Sequence, residues 1–177
     1  MQTLTIKDKT FALFIPETEI KQRVAAVAQR IDQDMAGRTP LFLVVLNGAF
    51  MFAADLVRMI SVPCEVSFIK LASYQGTHSS GAVTEVIGLH TDLQGRDVII
   101  VEDIVDTGLT MQHLLDKLAT LQPASLQVCT LLLKPGKLQT PLDLRYVAME
   151  IPNDFIVGYG LDYDEQGRNL KDIYTLT

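Results

Sequence analysis

The stretch Val98-Ile99-Ile100-Val101-Glu102-Asp103-Ile104-Val105-Asp106-Thr107-Gly108-Leu109-Thr110 changes character as it is read. Its opening four positions are all apolar, without the alternation of a half-exposed strand. Such a run fits a strand buried on both faces. Beyond Thr110, apolar residues recur at helical spacing as far as Leu121, and Pro123 stops them. The sequence therefore predicts a strand over Asp97–Val101, a loop over Glu102–Gly108 and a helix over Thr110–Leu121. A buried strand feeding a helix through a short loop is the unit of an α/β fold with a mainly parallel sheet.

The same unit recurs on both sides. Leu41–Leu46 is apolar throughout, Asn47-Gly48 breaks it, and Phe50–Ile60 returns to helical spacing. Upstream, Pro16 and Gly37 bracket a helix over Thr18–Met35, with Ile20, Val24, Val27, Ala28 and Ile31 on one face. Cys64–Leu71, Ser125–Leu133 and Tyr146–Met149 are further strands. Between Ser73 and Gly81 the chain is rich in Ser, Thr and Gly and has almost nothing to bury, so it is expected to be a mobile loop, with another strand from Val83 to Gly88. The expected fold is one α/β domain over residues 1–177, a twisted, mainly parallel sheet flanked by helices. Ligands of such sheets sit beyond the carboxyl ends of the strands.

The Glu102–Thr110 segment lies at such an end. Glu102, Asp103 and Asp106 repel one another there, which costs stability unless hydroxyls or a cation answer them. Adjacent carboxylates suit a sugar diol, and a divalent ion would offset their charge. Thr107, Gly108 and Thr110 open a helix, whose exposed N–H groups and two hydroxyls make a cradle for an anion. A sugar phosphate satisfies both halves. A helix cap would account for one of these residues, not for all of them. Asp106-Thr107-Gly108 also spells the aspartic-protease triplet, but that chemistry needs two such loops on all-β lobes. No GxGxxG or GxxxxGK[ST] motif is present.

Composition narrows the classes further. With 15 Lys and Arg against 21 Asp and Glu, the formal net charge is −6. A dedicated nucleic-acid or anionic-membrane binder needs a positive field that such a chain lacks. No apolar run is long enough to span a bilayer, and the start, Met1-Gln2-Thr3-Leu4, lacks the plan of a secretory signal. Cys64 and Cys129 lie in apolar segments and are expected to be buried, reduced thiols. His78, His90 and His113 are not at metal-ligand spacing. A cytoplasmic enzyme or binding domain is expected.

Val101–Thr110 resembles the phosphoribosyl pyrophosphate loop of the type I phosphoribosyltransferases. From about Leu41 to Arg168 the chain is similar to their bacterial hypoxanthine(-guanine) branch, and Ile151-Pro-Asn-Asp-Phe155-Ile156-Val-Gly-Tyr-Gly160-Leu-Asp162-Tyr is specific to enzymes of 6-oxopurines. The resemblance implies magnesium-dependent transfer of a 5-phosphoribosyl group to N9 of hypoxanthine, and of guanine, in purine salvage. By the same resemblance, Glu102 and Asp103 hold the ribose hydroxyls near magnesium. Asp106, Thr107, Gly108 and Thr110 hold the 5-phosphate, and Asp106 faces N7 as general base. Asn47 and Gly48 replace the family's Lys-Gly at the pyrophosphate loop, where the backbone carries the contact. Ser73 and Tyr74 begin a mobile hairpin lid over about 73–82. Lys134 donates to the 6-oxo group, Phe155 stacks on the purine, and the backbone at Ile156 meets its edge. Asp162 joins Glu102 and Asp103 as a magnesium ligand, and Arg168 meets pyrophosphate. A small C-terminal hood over 151–177, together with the N-terminal segment, and a homodimer or homotetramer complete the expectation. The alternatives are a nucleotide-sensing, RNA-binding regulator of the same fold and a xanthine-preferring enzyme.

Overall fold

The computed structural model describes residues 2–74 and 83–177, and the side chains of all these except 72–74 and 83–87. In chain order the strands are β1 (Thr3–Ile6), β2 (Lys9–Ile15), β3 (Leu41–Leu46), β4 (Glu65–Tyr74), β5 (Val83–Ile87), β6 (Asp97–Val105), β7 (Ser125–Leu133), β8 (Tyr146–Glu150), β9 (Ile156–Val157) and β10 (Ile173–Leu176). The helices are α1 (Glu17–Asp34), α2 (Phe50–Met59) and α3 (Leu109–Ala119).

The main sheet has the order β5-β4-β3-β6-β7-β8. The pairings among β4, β3, β6, β7 and β8 are all parallel, and β5 adds an antiparallel edge. The uninterrupted apolar runs of β3 and β6 have the two-faced burial that their sequence predicts. Phe42, Val44, Ile99 and Val101 pack with α1 and α2 in one core layer. Leu41, Leu43, Val45, Val98 and Ile100 pack with α3 in the other. Consecutive residues of a strand point to opposite faces, so each strand serves both layers.

Two boundaries and the burial of one residue differ from the sequence expectation. β6 runs on to Val105, because Ile104 and Val105 pair with Leu132 and Leu133 of β7. Glu102 and Asp103 are therefore strand residues, not loop residues. Ser73 and Tyr74 close β4, paired with Thr84 and Val83, so the expected lid starts later than Ser73. Its remainder, residues 75–82, lies outside the described residues. Cys129 is fully buried, as expected, but Cys64 is only partly so; both are free thiols.

A second, antiparallel sheet, β1-β2-β10-β9, joins residues near Thr3 to residues near Leu176. Ile6, Phe11, Val157 and Tyr174 form its core. It is fastened to the main body at the start of α1, where the Glu17 N–H donates to Asp172 Oδ1 at 2.7 Å. That bond satisfies a helix-start donor that Pro16 has no side-chain oxygen to satisfy. A second fastening is the Tyr159 hydroxyl, which donates to Asp55 Oδ2 of α2 at 2.6 Å.

Candidate active site

β3, β6 and β7 end side by side, so the segments that follow them, from Asn47, Asp106 and Lys134, emerge at one edge of the sheet. The turn between β3 and α2 comes closest to β6. The Leu46–Asn47 peptide bond is cis. At Gly48 a Cβ would overlap the Asp103 carboxylate, so this position admits no side chain while Asp103 stays where it is. On its other side the turn meets Gly160, whose φ is +102°, and a Cβ there would overlap the Gly48 carbonyl. Gly160 brings Arg168 with it. The Arg168 guanidinium donates to the Gly160 carbonyl at 2.8 Å and pairs with Asp162 Oδ1 at 2.8 Å. Asp162 Oδ2 accepts the Glu165 N–H at 2.8 Å. Asp103, Gly48, Gly160, Arg168 and Asp162 thus form a continuous chain of contacts across the cleft.

Glu102 and Asp103 fold back on the backbone. The Asp103 N–H donates to Glu102 Oε1 at 3.1 Å, and the Ile104 N–H donates to Asp103 Oδ1 at 2.8 Å. Desolvation, followed by the charge of Asp103, holds the Glu102 carboxyl well above the usual carboxylate range. Crowding of acidic groups is therefore felt at Glu102. Asp106 has cations for neighbours instead: Lys137 Nζ lies 3.3 Å from its Oδ2 and Lys134 Nζ 3.7 Å. Residues Glu102 to Gly108, with Thr110 and Met111, line a cavity of about 230 Å³. Gly108 caps α3 with φ +81°, Thr107 Oγ1 accepts the Leu109 N–H at 3.4 Å, and Thr110 is exposed on the first turn. The N–H groups of that first turn have no partner within the helix, so a ligand can take them.

Lys134 is 6% exposed, although a lysine after a buried strand is ordinarily a solvated one. Phe155 shows the reverse. A Phe preceding Ile-Val is more often a core residue, yet this ring is 45% exposed. It meets Tyr163 edge-on, with centroids 6.0 Å apart, and lies tilted to Phe11 at 6.3 Å. Lys9 Nζ sits 4.5 Å from the Tyr163 ring centre and 5.7 Å from that of Phe155. Ile156 is buried and pairs with Thr175, on a strand that forms the edge of its sheet. Its outer backbone edge has no strand partner there.

The donor set suits a metal of a particular kind. No three His, Cys, Asp or Glu groups cluster among the described residues, which argues against an all-protein cage. Magnesium is commonly held by one or two carboxylates together with substrate phosphates and water. Glu102 and Asp103 fit that mode, since their mutual repulsion is relieved by a nearby cation. Asp162 has both oxygens engaged, one of them by Arg168, and among the described residues it forms no cluster with Glu102 and Asp103.

Such a site, with carboxylates, helix-start amides and an arginine around one cleft of an α/β sheet, defines a class that handles phosphorylated sugars. The chain matches the phosphoribosyl transferase domain over residues 16–164 and belongs to that family. It is 44% identical to the hypoxanthine-guanine phosphoribosyltransferase of Mycobacterium avium, covering 93% of this chain and 85% of that one. It is 39% identical to the enzyme of that name from Aquifex aeolicus, covering 96% of each. Among solved structures, a hypoxanthine-guanine phosphoribosyltransferase from Bacillus anthracis with HEPES in its active site superposes with a TM-score of 0.88 at 36% identity, covering 94% of this chain and 98% of that one.

Two features of the site have no counterpart among the residues singled out from sequence. One is Lys137, whose signal was its spacing of three from Lys134 across Pro135-Gly136. The other is the Lys9, Phe11 and Tyr163 surround of Phe155, which comes from β2 and a loop far apart in sequence and left no local signal.

Proposed function

We propose that this protein transfers the 5-phosphoribosyl group of phosphoribosyl pyrophosphate to N9 of hypoxanthine, and of guanine, releasing pyrophosphate and IMP or GMP in purine salvage. The observation that carries the proposal is the meeting of Asp106 and the buried Lys134, 3.7 Å apart, beside the helix-start cradle of α3. The α3 N–H groups, with the Thr107 and Thr110 hydroxyls, hold the 5-phosphate. Glu102 and Asp103 accept hydrogen bonds from the ribose hydroxyls. A purine entering above Asp106 finds an ammonium donor at Lys134 for its 6-oxo group and an exposed aromatic face at Phe155. Adenine offers a 6-amino group that cannot accept from that ammonium. As N9 bonds to the sugar carbon, the N7 proton is held by the Asp106 carboxylate. Pyrophosphate departs towards the Gly48 backbone and Arg168, whose planar fork suits that anion.

Magnesium, when bound, neutralises the leaving pyrophosphate. Glu102 and Asp103 are the residues that would hold it, and Asp162 is a separate carboxylate on the pyrophosphate side. The free thiols of Cys64 and Cys129 support a reducing, cytoplasmic setting. The exposed apolar side chains of Phe50, Val66 and Phe68 support assembly into a homodimer or homotetramer. Among the described residues no helix is long and apolar enough to cross a membrane.

Steady-state kinetics with hypoxanthine, guanine, xanthine and adenine, in magnesium and in EDTA, test the proposal. Hypoxanthine and guanine are expected to be turned over in magnesium only. A preference for adenine would sink the role given to Lys134.

A further inference from the structure

We propose that Lys137 is a positioning residue for the reaction, holding the Asp106 carboxylate in the orientation from which it takes the N7 proton. The inference rests on Asp106 being the base. Asp106 has two oxygens in very different settings. Oδ1 is turned inward, away from solvent, and has no hydrogen-bond partner among the described residues. Oδ2 accepts a hydrogen bond from Lys137 Nζ at 3.3 Å, and among those residues Lys137 is the only hydrogen-bond donor to this carboxylate. Lys134, at 3.7 Å, lies beyond a hydrogen bond. The loop itself therefore supplies nothing to stop the carboxylate turning about its Cβ–Cγ bond, and the ammonium of Lys137 does.

The backbone explains how two lysines reach one carboxylate. Pro135–Lys137 is a single 3-10 turn, closed by the Lys137 N–H donating to the Lys134 carbonyl at 3.0 Å. The turn brings the ends of both side chains to Asp106 Oδ2, Lys137 at 3.3 Å and Lys134 at 3.7 Å. The turn is then sewn to the loop that carries Asp106. The Lys134 N–H donates to the Val105 carbonyl at 3.0 Å, and the Gln139 N–H donates to the Thr107 carbonyl at 2.9 Å. These bonds flank Asp106 and fix where the second ammonium falls. The lysines divide the work: Lys137 occupies one lone pair of Oδ2, which leaves the other for the substrate proton, and Lys134 stays available to the purine. A base oriented by a third group is a recurring arrangement in catalysis.

Steady-state kinetics of Lys137→Met, Lys137→Arg, Asp106→Asn and the Asp106→Asn/Lys137→Met double variant test this. Lys137 is only partly buried, so these side chains can be accommodated. Removing one charge-assisted hydrogen bond is expected to lower kcat about tenfold in Lys137→Met, with KM for hypoxanthine and for phosphoribosyl pyrophosphate within about twofold of the parent. Lys137→Arg, which keeps a donor in reach, is expected to recover most of that kcat. In the Asp106→Asn background the Met substitution is expected to have no further effect. An unchanged kcat in Lys137→Met, or the full tenfold loss persisting on top of Asp106→Asn, would overturn the role. The two failures are separable. If Asp106→Asn keeps the parent's turnover, Asp106 is not the base. If Asp106→Asn loses turnover and Lys137→Met does not, only the part given to Lys137 falls.

Discussion

At the scale of single residues, the cleft holds two carboxyl groups that its environment treats in opposite ways. Asp106 is met by two ammonium groups, whereas Glu102 is desolvated beside Asp103. Asp106→Asn keeps the shape but cannot take a proton, and kcat is expected to fall about a hundredfold or more. KM for phosphoribosyl pyrophosphate should stay close to that of the parent. Unchanged turnover in a stopped assay would remove the base role. Glu102 gives a prediction about stability. Its carboxyl holds its proton more tightly in the folded chain than in the unfolded one, where its pKa is about 4.3. The folded state is therefore favoured at acid pH, and that advantage disappears as pH rises through the folded value. Glu102→Gln never ionises and keeps an oxygen for the Asp103 N–H. In EDTA the variant is expected to melt a few degrees above the parent at pH 8 and level with it near pH 4. Equal melting temperatures at pH 8 would refute the account. The Gln variant should bind phosphoribosyl pyrophosphate and magnesium more weakly, so here stability and function pull apart.

At the scale of elements, β3 with its turn into α2 was the easiest part to read and the hardest to interpret. Leu41–Leu46 has the bounds that the sequence predicts, because a wholly apolar run ended by Asn-Gly has little else it can do. β7 was legible for the same reason. The end of β6 was not, since Glu102 and Asp103 look like loop residues, and only pairing with β7 keeps them in the ladder. The strands β1, β9 and β10 were equally hidden, being short, and β9 and β10 are held by partners remote in sequence; β2, with its apolar Phe11–Ile15, was passed over. Of the candidate site, the acidic segment declared its chemistry through residue types alone. Lys134, Phe155 and Arg168 did not, because a lysine, a phenylalanine and an arginine each have commoner structural uses, and the family resemblance singled them out. The turn after β3 yields a prediction of its own. Gly48→Ala puts a methyl group into the Asp103 carboxylate, so either the turn backs away from the cleft or the carboxylate is pushed aside. A displacement of about 1 Å at such a position is worth about a hundredfold in kcat/KM. Kinetics with phosphoribosyl pyrophosphate as the varied substrate measure it, and parent-like values would mean that the contact is dispensable.

At the scale of the whole molecule, two sheets are fastened to one another, and Gly160, beyond the second, meets Gly48 after β3 of the first. The Tyr159 hydroxyl is one fastening: burial and its bond to Asp55 push it far above the usual phenol range, so it remains a donor throughout the working pH. Tyr159→Phe leaves Asp55 without that donor and is expected to cost about 1–3 kcal/mol in urea unfolding. On the proposed site it should also raise KM for the purine, because Ile156 and the adjoining Phe155 belong to the second sheet and its approach. A variant as stable as the parent would show that the second sheet is held elsewhere. The net charge of −6, which at first only excluded partners, now has a local structure. Asp106 is matched by Lys134 and Lys137, and Asp162 by Arg168, so the cleft of an acidic protein need not repel a polyanion. The contact between Gly48 and Asp103 has a consequence for ancestry as well. Two positions far apart in the chain occupy one volume, so the order in which they can change is constrained. Position 48 can acquire a side chain only after position 103 has given up its carboxylate or moved it. A lineage that keeps the acid in that place is therefore held to glycine.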